Sequence, residues 1–288
     1  MSRSVGRSLL LALICWCLAT PLAAQDDAEL GWSNRAELGY VATDGNAEAS
    51  SLGLDATSTY AWPDRSLELR LAGLRADSTT VTRTAVGTPD NFSVNEESDT
   101  EVTAENYFAQ LRFDRDLTDD FYVYGSGSWE RDEFAGFDRR LTAVVGAGRV
   151  FFDVEDQRLF KADLGVTYVD QQDLVDAPGS DDGGSVGLRA TSEWFRRLSP
   201  TTTVGMDLIV DLDLDDTSDL RLDDRLWVAV QMTEQLALKV SLRLKYDAEP
   251  SFESVPLTSP AGDLLDDSVF VQLDELDSIF NVALVVDF

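Results

Sequence analysis

The sequence predicts an all-β protein, a transmembrane, antiparallel, up-and-down β-barrel of about twelve strands with short periplasmic turns and longer extracellular loops. Three observations carry that reading. Apolar and polar residues alternate at period two through most of the chain, the connections between alternating segments are short and long by turns, and the chain closes on an alternating segment that ends in phenylalanine.

The alternation is cleanest from Leu236 to Tyr246. Leu236, Leu238, Val240, Leu242, Leu244 and Tyr246 are apolar, and Ala237, Lys239, Ser241, Arg243 and Lys245 lie between them. Successive strand side chains point to opposite faces, so this segment has one oily face and one charged face and no helical component. The same pattern sets Phe160, Ala162, Leu164, Val166 and Tyr168 against Lys161, Asp163, Gly165 and Thr167. It also sets Val186, Leu188, Ala190 and Trp194 against Arg189, Thr191 and Glu193.

Such segments fall near residues 30–42, 51–62, 66–80, 102–115, 121–133, 140–152, 158–170, 185–197, 202–214, 219–231, 235–247 and 276–288. Most match or exceed the roughly 9–11 tilted residues that cross a bilayer. In the fifth and sixth, Gly125, Gly127, Gly146 and Gly148 leave both faces mildly apolar and the orientation open. Tight turns are expected at Trp62–Arg65, Leu117–Asp120, Asp153–Gln157, Ser199–Thr201 and Met232–Glu234. Longer polar links are expected at Val81–Glu101, Leu174–Gly184 and Ala248–Asp267, with shorter ones at Thr43–Ser50, Phe134–Arg139 and Asp215–Ser218. An even strand number puts both termini on the periplasmic side.

A soluble sandwich or barrel also alternates, with its oily face turned inward. Against it stand segments longer than the usual five or six residues of sandwich strands. Aromatic residues also gather at both ends: Trp32, Tyr60, Trp62, Phe113, Phe121, Phe160 and Trp194 toward the turns, and Tyr40, Phe134, Tyr168 and Tyr246 toward the loops. Two such bands are the interfacial girdles of a membrane barrel. Phe280, Val282, Leu284, Val286 and Phe288 read as a terminal signal for the outer-membrane insertion machinery, which is the expected assembly partner.

Residues 1–24 have the form of a secretory signal: basic Arg3 and Arg7, an apolar stretch from Ser8 to Ala19, and a small-residue exit at Leu22-Ala23-Ala24. Residues 25–288 are then a single barrel domain. Cys15 and Cys17 lie in the leader, so a thiol-free mature protein is expected. Cleavage removes two arginines and no acids from a chain with 23 basic and 53 acidic residues. That balance excludes nucleic acid as a natural partner, because phosphates demand a basic surface. Histidine is absent, which removes the commonest general base and metal ligand together. No serine, lysine or carboxylate spacing singles out a catalytic pair, so no enzymatic activity and no cofactor are expected.

Two stretches carry a family resemblance. Ala36-Glu37-Leu38-Gly39-Tyr40-Val41-Ala42-Thr43-Asp44-Gly45-Asn46-Ala47-Glu48-Ala49-Ser50 resembles the first strand and Gly-Asn turn of the salt-induced outer membrane proteins grouped as domain of unknown function 481. Trp129-Glu130-Arg131-Asp132-Glu133-Phe134-Ala135-Gly136-Phe137-Asp138-Arg139-Arg140-Leu141-Thr142 is similar to that family's mid-barrel strand, short loop and returning strand. The resemblance implies a barrel in the outer membrane and brings no agreed reaction or ligand.

On this reading the inward face carries Arg35, Glu37, Asp55, Glu68, Arg70, Arg112, Lys161, Asp163, Arg189, Glu193, Asp207, Asp211, Arg221, Asp223, Arg225, Lys239, Arg243 and Lys245. Mixed charge on a lumen wall is compatible with a narrow ion-selective path or with an ion-paired plug. The first expectation is a monomeric passive channel for ions or small solutes in outer-membrane lipid, linked to salt or osmotic conditions. The alternative is a closed barrel whose acidic loops bind cations, lipid headgroups or a surface partner. Asp211, Asp213 and Asp215 share one face of a strand and are a candidate for a hard cation, although the glycine and distal glutamate of a calcium loop are missing.

Overall fold

The computed structural model describes residues 30–43, 48–88, 91–154, 157–177, 183–258 and 264–288; residues 1–24, where the sequence reading expects a secretory signal, lie outside them. The strands are β1 (Gly31–Thr43), β2 (Glu48–Trp62), β3 (Arg65–Thr88), β4 (Asn91–Asp116), β5 (Phe121–Asp132), β6 (Phe137–Val154), β7 (Arg158–Asp173), β8 (Gly183–Ser199), β9 (Thr202–Asp213), β10 (Leu220–Gln231), β11 (Leu236–Asp247), β12 (Phe252–Thr258), β13 (Leu264–Gln272) and β14 (Leu276–Asp287). Twelve of them close an antiparallel barrel, in the order β1-β14-β11-β10-β9-β8-β7-β6-β5-β4-β3-β2, and β12 and β13 form a separate two-stranded ribbon.

Closure joins the two ends of the sheet. Arg35 to Leu38 of β1 pair with Asp287 to Leu284 of β14. The Asn34 and Phe288 backbones exchange two hydrogen bonds of 2.9 Å. The barrel therefore leaves no open edge there to be satisfied by water, the condition for crossing hydrocarbon with strands.

The faces are arranged inside out relative to a soluble barrel. On β7, Leu164 is 70% exposed, whereas Asp163 and Thr167 are 5% and 2% exposed. Along β14, Phe280, Val282 and Leu284 are exposed while Ala283 and Val285 are buried, and along β11 Leu238 and Leu242 are exposed while Lys239 and Ser241 are buried. Burying polar groups while exposing leucines is unfavourable in water and favourable in hydrocarbon, so this surface defines a transmembrane barrel.

One residue breaks the outward pattern. Asp224 on β10 is paired with Leu208 on β9 and Leu244 on β11, and it sits between outward Leu222 and Leu226. Its Oδ1 is buried with no hydrogen-bond partner among the described residues.

The orientation of β5 and β6 is settled by packing. Tyr122 and Tyr124 point inward and are buried, while Phe121, Val123 and Trp129 face out. The inward rings occupy the space beside the glycines: a Cβ on Gly146 would lie 2.7 Å from Tyr124 Cε1, one on Gly165 would lie 2.7 Å from Tyr124 Oη, and one on Gly148 would overlap the Tyr122 ring. Gly146 and Gly148, two of the glycines that obscured the alternation, together with Gly165 are thus the lumen floor on which two tyrosines lie.

Two of the expected loops are strand. β3 and β4 continue past the segments read from sequence, and Val81–Glu101 is largely an antiparallel ribbon with Thr79 paired to Thr100 and Val86 to Ser93. This stretch is rich in Thr and Val, which favour extended backbone, and outside a bilayer neither face has to be oily. Likewise Ala248–Asp267 contains β12 and the start of β13.

Candidate functional site

The register places every charged residue expected in the lumen on the inward face, and joins them into layers. Nearest the turns, Arg112 donates to both oxygens of Asp114 and, over 3.1 Å, to Asp163 Oδ2. Tyr122 Oη also donates to Asp163 over 3.1 Å, and the Arg112 guanidinium lies 4.1 Å from the Tyr124 ring centroid. Lys161 pairs with Glu193 at 2.7 Å across the β7–β8 ladder. Arg35 and Asp287 pair at 2.7 Å at the exposed mouth.

The middle layer crosses the lumen. Arg70 on β3 grips Asp55 on β2 through two bonds of 3.0 and 2.6 Å. The same carboxylate receives a 3.3 Å bond from Arg225 on β10, whose Nε also donates to Asp207 on β9 over 3.1 Å. Lys239 on β11 reaches over buried Ala283 of β14 to Glu37 on β1 at 2.6 Å.

Nearest the loops, Lys245 on β11 lies 3.3 Å from both Glu130 and Asp132 on β5. In the strand order β5 and β11 are six positions apart on a ring of twelve, so they face each other directly. A circular ring would hold opposing backbones roughly 20–24 Å apart, given strands about 4.8 Å apart and tilted about 40°. An extended Lys and Glu span only about 15 Å between Cα atoms. The barrel is therefore drawn in along this diameter, and the ion pair is the tie.

Between the middle and loop layers lies a cavity of about 360 Å³, lined by Arg140, Arg189, Asp211, Arg221, Asp223 and Lys245 among others. Arg189 holds Asp211 through two bonds of 2.6 and 2.7 Å, and Arg243 holds Asp223 with a 2.7 Å bond from its Nε. The cavity wall thus carries both signs, each cation beside an anion.

The candidate cation ligands do not converge. Asp211 is held by Arg189; Asp213 accepts the backbone N–H groups of Asp215 and Asp216, and Asp215 accepts the Val186 N–H. Shared strand parity put Asp211, Asp213 and Asp215 on one side, but the chain turns after Asp213 and spends those carboxylates on its own backbone. No cluster of three or more metal-ligating side chains with a suitable arrangement occurs among the described residues. A second cavity of about 350 Å³ lies at the loop end against Asp173, Asp213, Asp216, Asp219 and Glu249. In that loop, hydrogen bonds from Ser218 hold Asp216 below the usual carboxylate range, whereas burial pushes Asp219 up.

Sequence reasoning missed several inward charges, among them the carboxylates that Lys245 meets across the barrel. Glu130, Asp132 and Arg140 belong to the segment whose faces were ambiguous, and they become inward residues only once Tyr122 and Tyr124 fix its orientation. Phe280, Val282, Leu284 and Val286 lie along the outward side of β14, and Phe288 follows directly after the strand.

A closed, oily-surfaced barrel of twelve antiparallel strands around a charged lumen is an integral membrane barrel of the outer-membrane type. The chain belongs to the family described as "Protein of unknown function, DUF481", which matches residues 36–258. It is similar to the "Uncharacterized protein YdiY" of Escherichia coli strain K12, with 30% identity over 115 residues covering 40% of this chain and 38% of that protein. The match therefore spans well under half of either chain. Among solved structures it is similar to a FadL homologue of Pseudomonas aeruginosa, with 11% identity, TM-score 0.36, and 84% and 69% of the two chains covered. It is also similar to an anion-selective porin from Comamonas acidovorans, with 10% identity, TM-score 0.37, and 90% and 99% covered.

Proposed function

We propose that this chain is a monomeric outer-membrane barrel of a Gram-negative bacterium that passes small ions, and excludes larger solutes, through a lumen narrowed by its own ion pairs. The role is passive, with no catalytic step and no cofactor. The observation that carries the proposal is the pair of cross-lumen ties, Asp55 to Arg225 and Lys245 to Glu130 and Asp132. Such ties leave charged, hydrated edges for an ion while blocking anything of sugar size. The short turns face the periplasm, and the Phe280 to Phe288 pattern serves the insertion machinery. A link to salt conditions fits the same geometry, because added salt screens partly hydrated ion pairs.

The rival reading is a closed barrel that acts through its acidic loops. The packing of Arg112, Asp163, Tyr122 and Tyr124 at the turn end favours it. Flux from vesicles separates the two. Refolded, leader-free protein should release chloride and potassium and retain sucrose; retention of all three selects the closed barrel.

A further inference from the structure

The outward arginines of the barrel divide into two sets. Those toward the loops are matched by acids: Arg75 with Asp77 and Glu105 at 3.4 and 3.6 Å, Arg131 with Asp138 at 3.1 Å, and Arg139 with Asp170 at 3.0 Å. Toward the turns, four arginines are instead set opposite one another in two pairs. Arg65 at the start of β3 stands directly opposite Arg115 of β4, and Arg158 at the start of β7 stands directly opposite Arg196 of β8. Both pairs share strand parity with outward residues, Leu67 and Phe113 in the first case and Phe160 and Trp194 in the second. Arg115, Arg158 and Arg196 form no ion pair with any described residue, and Arg65 has only Asp64 at 3.9 Å.

Like charges directly opposite on an antiparallel ladder repel, with Cβ atoms only about 5 Å apart. A chain with 53 acidic residues against 23 basic ones could have placed a carboxylate at either position. Instead one guanidinium of each pair lies beside an aromatic ring near the turns: Arg65 is 5.3 Å from the Trp62 centroid and Arg158 is 5.2 Å from that of Phe152. Arg149, on the same rim, is paired with Asp120 at 3.6 Å and also lies 5.0 Å from the Phe121 centroid. A planar fork anchored on a ring at the membrane interface suits a phosphate, which two forks can grip together.

We propose that this rim binds anionic glycerophospholipid headgroups of the leaflet facing the turns, one phosphate between Arg65 and Arg115 and a second between Arg158 and Arg196. The proposal rests on the reading that the chain spans a membrane. It fixes the depth of the barrel at its turn end.

Native mass spectrometry of the refolded, leader-free protein in mixed micelles of phosphatidylglycerol and phosphatidylcholine tests it. The wild-type barrel should retain up to two phosphatidylglycerol molecules, with about tenfold preference over phosphatidylcholine. Arg65→Gln with Arg115→Gln should remove one of them, and Arg158→Gln with Arg196→Gln the other, with the heat-dependent gel shift of the folded barrel unchanged. Equal retention of the two lipids by the wild type would overturn the proposal, whatever the variants do. Unchanged phosphatidylglycerol retention in folded variants would overturn it too. Failure of the wild type to enter vesicles of either lipid would instead contradict the membrane reading.

Discussion

Lys245 on β11 and Glu130 on β5 meet at 3.3 Å across the lumen, from strands that face each other on the twelve-strand ring. Asp132 completes the contact at 3.3 Å, and Asn106 donates to both carboxylates, at 3.2 Å to Glu130 and 2.9 Å to Asp132. One ammonium therefore balances two carboxylates inside the barrel.

Replacing Lys245 with glutamine should leave those carboxylates without their direct ion pair, with Arg140 and Arg243 of the same cavity as the remaining cations. The expected cost is about 1–3 kcal/mol, at the lower end of the range for breaking buried pairs because water reaches the cavity. Urea titration followed by the folded-to-unfolded gel shift measures it. Glu130→Gln should cost less, since Asp132 remains to hold the lysine.

The tyrosine–glycine packing is expected to be intolerant of a single methyl group. Gly148→Ala forces a Cβ into the Tyr122 ring and toward Asp163 Cβ, 2.7 Å away. Overpacking of this kind costs roughly 1–3 kcal/mol. Adding Tyr122→Ala should recover part of the loss from the glycine substitution, a coupling read from a double-mutant cycle in urea.

Asp224 points to lipid between leucines, so Asp224→Leu should stabilise the barrel. Charges on the lipid face of such barrels cost up to about 2–4 kcal/mol at the midplane, with acids costing less, so a gain of roughly 1–2 kcal/mol is expected. Asp223→Leu, one residue away but facing inward to Arg243, should destabilise instead.

The mature chain lacks cysteine if cleavage follows Ala24, so single cysteines can report each face of β7. Nitroxide labels at positions 164, 166 and 168 should be accessible to oxygen dissolved in the bilayer. Labels at 163 and 167 should not be. Equal accessibility at both sets would contradict the inside-out assignment.

Much of the fold was legible because a membrane barrel writes its architecture in period two. Leu236 to Tyr246 and Phe160 to Tyr168 needed only parity to become strands with one oily face. Parity alone could not say which face was buried; the exposure of Leu164 beside buried Asp163 does. Legibility failed where the local pattern had a cause elsewhere in the chain. Gly146 and Gly148 of β6 blurred the alternation because tyrosines from β5 lie on them. The ribbon formed by the ends of β3 and β4 looked like a loop because its residues answer to backbone pairing and not to a bilayer. In the lumen, sequence named most of the cations and anions but not who meets whom. The Lys245 contact joins residues more than a hundred positions apart through the closure of the ring, and no local spacing encodes that.

Single-channel conductance in a planar bilayer tests the narrowed lumen most directly, with refolded wild-type protein and Lys245→Ala compared in potassium chloride gradients. Small discrete steps are expected for the wild type, with larger and more cation-selective steps for Lys245→Ala, because removing the tie widens the path and leaves Glu130 and Asp132 unbalanced. A folded barrel that stays silent in both forms would contradict the account.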